Sequence, residues 1–187
     1  DNTLPNSEKE VEDLKKIFTN SEVFVRNDAS EDKVKNLTPE FNALHFATHG
    51  NLDYVDVRNS YLTLASNDGA GEDGKLTIEE VWGLSNLNEF NLVTLSACQT
   101  AVSDEIIQGW MVNPANAFFD VGVKTVIASL WQVDDEATSI LMNSFYANLK
   151  SMNKVQALSK AKEVLRENPK YAFPYYWASF VMVGDYK

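Results

Sequence analysis

The residues of this chain best suited to covalent chemistry are a cysteine and a histidine that each follow an apolar run. Cys98 is the only cysteine, and the run before it, residues 91–97, predicts a buried strand. His49 follows a second such run, residues 42–48, and is itself followed by Gly50. The carboxyl ends of neighbouring parallel strands meet at one edge of a sheet, so the thiol and the imidazole would lie side by side there. A cysteine nucleophile and its base require this arrangement.

The residue types indicate how such a pair would react. A free thiol has a pKa of about 8.5, and an adjacent imidazole can take its proton or hold the thiolate as an ion pair. Attack on a carbonyl carbon places negative charge on the oxygen, which backbone N–H groups stabilise. Gly50 has no Cβ and lets a substrate approach closely, so its N–H and that of Cys98 are the predicted oxyanion hole. No third residue that would orient His49 can be identified from spacing.

Each of these residues also has a structural interpretation. A lone cysteine after a strand is more often a small buried hydrophobe than a nucleophile, and a histidine at a strand end is usually structural. Because both residues lie at adjacent strand ends, the pattern alone supports the catalytic and the structural interpretation about equally. His45 precedes His49 by four residues, but no nearby cysteine or glutamate completes a metal site. We therefore interpret His45 as core-facing or packed.

Helical and strand patterns alternate along the chain and must position this pair. The predicted helices are 8–19, 30–37, 77–84, 113–121, 135–150 and 154–167, and the predicted strands are 23–25, 42–48, 91–97, 123–130 and 177–183. Glu10 follows Ser7 at capping-box spacing, at the start of the first helix. The segment 49–75 predicts a surface loop with a hairpin. Strands that are apolar on both faces and alternate with helices predict a three-layer α/β domain with a mostly parallel sheet.

Composition limits the class of protein. The chain has 187 residues, 44% of them hydrophobic, which suits one globular domain over residues 1–187. One cysteine and two histidines give no disulfide framework and too few ligands for structural zinc. We expect no cofactor and no metal, although the aspartates of 51–73 leave a weak calcium site open. The net charge of -11 disfavours nucleic acid as a direct partner. The chain shows neither a membrane span nor a signal peptide, so we expect a cytoplasmic protein that binds no membrane.

Three segments carry a resemblance that covers nearly the whole chain. They are HFATHG at 45–50, LSACQT at 95–100 and ASLWQVDDEAT at 128–138, with further matches at 4–5, 145–146 and 176–180. In these signatures the chain resembles the CHAT domain, which is similar to caspases and separases and often follows tetratricopeptide repeats in bacterial proteins. The resemblance implies a caspase-like αβα fold and a catalytic dyad of His49 and Cys98. Because the chain starts at Asp1 rather than at a methionine, we expect it to be the C-terminal part of a longer protein.

The resemblance also implies a substrate preference. In the separase-like branch, a Trp-x-Val-x-Asp segment places acidic residues near the primary specificity pocket, and this chain has Trp131, Val133, Asp134 and Asp135 there. These carboxylates would receive a Lys or Arg side chain of the substrate through charge-assisted hydrogen bonds. Asp134 or Asp135 would also serve as the N-cap of the helix predicted from residue 135, and capping by at least one of them is favoured.

Two functions remain open on the sequence. The first is a cysteine endopeptidase, a thiol protease that cleaves a partner protein and is regulated by other parts of its own full-length chain, such as tetratricopeptide repeats. The second is a catalytically silent protein-interaction module that keeps the caspase-like fold. Intact His49, Gly50 and Cys98 favour the peptidase, because a binding module has no physical need of all three.

Overall fold

The computed structural model describes residues 5–38, 40–67, 71–96, 106–107, 110–111, 113–132 and 134–187. Its strands are β1 (Ala43–Phe46), β2 (Gly50–Asn51), β3 (Tyr61–Thr63), β4 (Lys75–Thr77), β5 (Leu92–Leu95), β6 (Ile106–Ile107), β7 (Trp110–Met111), β8 (Thr125–Ser129) and β9 (Phe180–Gly184). Its α-helices are α1 (Pro5–Ile17), α2 (Glu31–Lys35), α3 (Ile78–Trp82), α4 (Pro114–Asp120), α5 (Asp135–Leu149), α6 (Lys154–Glu167) and α7 (Pro174–Trp177). Two 3-10 turns occupy Arg26–Asp28 and Val57–Asn59.

The central sheet has four strands in the order β1-β5-β8-β9. The first three are parallel, with Phe46 paired to Leu95 and Leu95 paired to Ala128, whereas β9 runs antiparallel to β8 at the edge. Every residue of β5 and β8 is buried, as expected for parallel strands covered on both faces. The predicted mostly parallel sheet is confirmed.

Alternate residues of each strand face two separate cores. Val93 and Leu95 of β5 join a cluster with side chains of α2, α3 and α4. Leu92 of the same strand and Ile127 of β8 join a second cluster with side chains of α1, α5 and α6. Because period-two alternation sends successive side chains to opposite faces, helices cover both sides of the sheet. This is the three-layer αβα arrangement that the sequence predicts.

A small antiparallel sheet, in the order β2-β3-β4, follows β1 and occupies the segment predicted as loop and hairpin. Gly74 lies at its margin with φ +82°, and a Cβ there would come within 2.9 Å of the Leu64 carbonyl oxygen. Glycine is required at this close approach of two backbones. The N–H groups of Gly74 and Lys75 both donate to Glu31 Oε1, at 2.7 and 3.0 Å, which ties α2 to the small sheet.

Two predictions of local structure are wrong. Residues 23–25 belong to no strand, because β-branched residues form a strand only where a partner edge pairs with them. The first helix begins at Pro5, before Ser7, and Glu10 bonds to His45 rather than acting in a capping box. Glu10 is 1% exposed, so its carboxylate lies on the buried side of the helix instead of at its end.

Candidate active site

His49 lies just beyond the carboxyl end of β1, where the small sheet holds its backbone. The Thr63 N–H donates to the His49 carbonyl at 2.8 Å, and the Thr48 hydroxyl donates to the Thr63 carbonyl. Gly50 then begins β2 and pairs with Leu62. The His49 side chain is half-buried. The backbone that carries the predicted base is therefore fixed on both sides of His49.

The neighbouring strand β5 leads to the predicted nucleophile. Beyond its last residue, the Ser96 N–H donates to the Phe46 carbonyl at 2.8 Å, so the ladder between β1 and β5 continues past Leu95. Ser96 is buried. Cys98, with the half of the oxyanion hole that its N–H would supply, lies outside the described residues. The structure describes the His49 half of the predicted site and the strand that precedes Cys98.

The two aspartates predicted to form an acidic pocket each accept a backbone hydrogen bond. Asp134 is exposed and is the N-cap of α5, since its Oδ1 accepts from the Ala137 N–H at 2.9 Å. Asp135 is half-buried, and its Oδ2 accepts from the Asn6 N–H at 2.9 Å. Capping by Asp134 agrees with the structural alternative that the sequence favours.

A buried polar network lies beneath this edge of the sheet. His45 Nε2 is 2.7 Å from Glu10 Oε1, and His45 Nδ1 is 3.2 Å from the Tyr146 hydroxyl. The Tyr146 hydroxyl in turn donates to Thr94 Oγ1 at 2.8 Å. Burial raises the pKa of Tyr146, so this hydroxyl stays protonated. The interpretation of His45 as a packed residue is confirmed.

Sequence reasoning missed the partners of His45. Glu10 comes from α1 and Tyr146 from α5, respectively 35 and 101 residues away along the chain. One signal was available for Glu10: it stands four residues before Leu14, which places it on the apolar stripe of α1. A carboxylate on such a stripe requires a buried partner.

A cleft of about 1220 Å³ opens beside β1, and His49 is among its lining residues. The carbonyls of Asn42 and Phe46 accept hydrogen bonds from the β5 side, so strand alternation directs the N–H and C=O groups of Ala43, His45 and Ala47 into the cleft. Among the described residues, these three have no backbone partner on that side. One wall of the cleft therefore exposes an open strand edge.

Acidic side chains come together at one further place. Within the described part of the chain, the carboxylates of Glu31, Glu72 and Glu80 lie close enough to surround a cation. Lys35 already places its ammonium there, 3.0, 2.7 and 3.1 Å from these three groups in turn. Burial opposes the charge on Lys35, but hydrogen bonds to Glu72, Glu31 and Glu80 outweigh it and raise its pKa. Lys35 links α2 to α3 and to the turn before β4.

The fold defines a class: an α/β domain with a mostly parallel central sheet and a caspase-like αβα arrangement. The sequence profile of the family described as "CHAT domain" matches residues 2–185. The chain belongs to this family, which is related to the caspase-like peptidases, and the resemblance seen in the sequence is confirmed. No curated protein matched the chain. Within the described residues, no helix combines the length and apolar character needed to cross a membrane.

Proposed function

We propose that this CHAT domain is a cysteine endopeptidase in which His49 and Cys98 form the catalytic dyad. The observation that carries the proposal is the parallel register of β1 and β5, in which Phe46 pairs with Leu95. Carried three residues further, the same register would bring His49 level with Cys98. Neighbouring strands lie about 5 Å apart, a separation that an imidazole and a thiol can bridge.

In the proposed reaction His49 takes the proton of the Cys98 thiol, and the thiolate attacks the carbonyl carbon of the scissile peptide bond. The N–H groups of Gly50 and Cys98 stabilise the negative charge on the oxygen. When the C–N bond breaks, His49 gives its proton to the leaving amine and a thioester remains on Cys98. Water that loses a proton to His49 then attacks the thioester, which releases the acid product and restores the thiol.

The proposed substrate is a partner protein with a basic residue before the scissile bond. Asp134 and Asp135 each use one carboxylate oxygen in the backbone bonds described above. The second oxygen of each carboxylate would then bind a Lys or Arg side chain. Control by other parts of the full-length chain, such as tetratricopeptide repeats, is part of the same proposal.

Peptide probes that carry a thiol-reactive group at their carboxyl end test the activity. In the longest available form of the protein, we expect labelling that is abolished by Cys98→Ala and strongly reduced by His49→Ala. Lys16→Ala, at an exposed position on α1, is the matched control and should label like wild type. If no probe reacts while a partner protein binds wild type and Cys98→Ala equally, the interaction module is the better description.

A further inference from the structure

The Glu10-His45-Tyr146-Thr94 network joins the two strands that lead to the proposed dyad. His45 and Thr94 are register partners in β1 and β5, and the Tyr146 hydroxyl lies within hydrogen-bond distance of both. His45 precedes His49 by four residues, and Thr94 precedes Cys98 by four. These side chains therefore link β1 to β5 four residues before His49 and Cys98.

Glu10, the fourth member of the network, connects α1 to these two strands. Glu10 is 1% exposed, so its carboxylate is held inside the protein by His45 rather than by water. The Glu10 carboxylate and His45 Nε2 share one short hydrogen bond of 2.7 Å. The Tyr146 hydroxyl, 3.2 Å from His45 Nδ1, donates to Thr94 Oγ1 at 2.8 Å, so the chain of contacts runs from α1 through β1 and α5 to β5.

Helix α1 also reaches the edge of the sheet where His49 lies. Near its start, the Asn6 N–H donates to Asp135, the first residue of α5, which follows the carboxyl end of β8. Just past its end, Phe18 packs edge-on against Tyr146 with 5.8 Å between the ring centroids. Helix α1 therefore runs alongside α5 in the same direction and begins at the proposed catalytic edge.

We infer that Glu10 and His45 are positioning residues for the proposed dyad, and that α1 controls the site through them. The inference rests on the proposed peptidase function and names how that site is regulated. Loss of the Glu10 carboxylate leaves His45 Nε2 without its buried partner, and β1 can then shift against β5. A displacement of about 1 Å at a reacting pair lowers rates by roughly a hundredfold. Displacement of α1 by sequence ahead of it would have the same effect.

The reactivity of the single cysteine tests the inference without a known substrate. The rate of alkylation of Cys98 by iodoacetamide is measured from about pH 5 to pH 9, a range that spans free and imidazole-held thiols. A thiolate held by an imidazolium is largely ionised near pH 6, whereas a free thiol is about 0.3% ionised there. The lower nucleophilicity of the held thiolate offsets part of this advantage, so we expect the held thiol to be alkylated roughly tenfold faster than a free thiol near pH 6.

The variants separate positioning from simple destabilisation. We expect Glu10→Ala and Tyr146→Phe to lose most of the tenfold advantage at low pH, so that their profiles approach that of His49→Ala. Glu10→Gln restores a hydrogen-bond partner for His45 Nε2 and should recover most of that advantage. Leu87→Ala truncates a fully buried side chain ahead of β5, away from the carboxyl edge, and is the control for lost stability. Its profile should match that of wild type below its unfolding temperature.

Each outcome bears on one proposal. If wild type and His49→Ala share one profile, the dyad is wrong and the inference fails with it. If they differ but Glu10→Ala and Tyr146→Phe behave like wild type, the dyad stands and the positioning role is overturned. An equal change in Leu87→Ala also overturns it. Should Glu10→Ala fail to fold, Tyr146→Phe decides, because it removes a hydroxyl and keeps the ring packing with Phe18.

Discussion

Replacing Lys35 with methionine should destabilise the small sheet that holds the His49 backbone. The variant keeps the length of the side chain but leaves three carboxylates together, with Glu31 only 1% exposed. Removing one partner of a fully buried ion pair costs about 3–5 kcal/mol. Here the side chains of Lys35 and Glu80 are 30% and 36% exposed, so water screens part of the charge and we expect a loss of about 2–3 kcal/mol. For a chain of this length the melting temperature falls by about 4–12 °C.

The pH dependence of that loss has a definite sign. Without the ammonium, the crowded carboxylates bind protons more tightly in the folded than in the unfolded state, so their folded pKa values rise. Burial already raises the pKa of Glu31 in the wild type. A raised carboxylate pKa means that stability is lost as pH rises and regained as pH falls. Urea unfolding measures the free energy of unfolding of wild type and variant near pH 7 and near pH 5. The difference between the two proteins should be smaller near pH 5.

A second substitution gives the sharper test. Glu72→Gln should destabilise the wild type, because it weakens a 2.7 Å bond to Lys35, but should stabilise the Lys35→Met variant, because it removes a like charge. The control is Lys160→Met, which breaks an exposed pair with Glu163 and should cost less than about 0.5 kcal/mol. If Glu72→Gln changes stability in the same direction in both backgrounds, the account of Lys35 as the neutralising cation is refuted.

Three further predictions concern the proposed site and one buried lysine. Replacing Cys98, His49 or both should reduce turnover of a protein substrate to nearly the same residual level, because members of one catalytic unit act non-additively; independent, additive losses would contradict the dyad. Asp134→Asn keeps a good N-cap for α5, so the free energy of unfolding measured in urea should change by less than about 0.5 kcal/mol. Cleavage of a peptide library should nevertheless lose its preference for Lys and Arg over Leu and Met, and an unchanged preference would exclude Asp134 from the pocket. Burial lowers the pKa of Lys154, so this lysine should make wild-type stability rise with pH between that lowered value and the unfolded value of about 10.4. Lys154→Met should remove this contribution and leave a smaller rise, to which Lys162, whose pKa burial also lowers, still contributes.

Local signals were sufficient for the long helices. The sequence predicts 154–167 and 135–150, and the structure has Lys154–Glu167 and Asp135–Leu149. Both helices begin with a capping side chain a few positions from its partner, such as Asn153, whose Oδ1 accepts from the Gln156 N–H at 2.9 Å. Such contacts need no distant partner, so they can be predicted from the sequence. Val23–Val25 is the counterexample, because its β-branched pattern says nothing about whether a strand edge lies beside it.

The candidate site likewise has features that the sequence shows and features that only the structure shows. Its residue types and their place at strand ends are visible in the sequence, as is the capping role open to Asp134. The register of β1 against β5, which supports the pairing of His49 with Cys98, depends on how two strands 49 residues apart align, as the pairs Ala43↔Leu92 and Phe46↔Leu95 show. Spacing along the chain limits that alignment but does not fix it.

The sequence by itself determined the class of this protein, since strands apolar on both faces and alternating with helices have few layered solutions, and the CHAT signatures lie at the strand ends. Only the tertiary structure decided which polar groups meet inside it. Glu10 meets His45 across 35 residues, and Lys35 meets Glu72 and Glu80 across 37 and 45. Burial makes those pairings strong, and burial is a property of the packed chain rather than of any short segment.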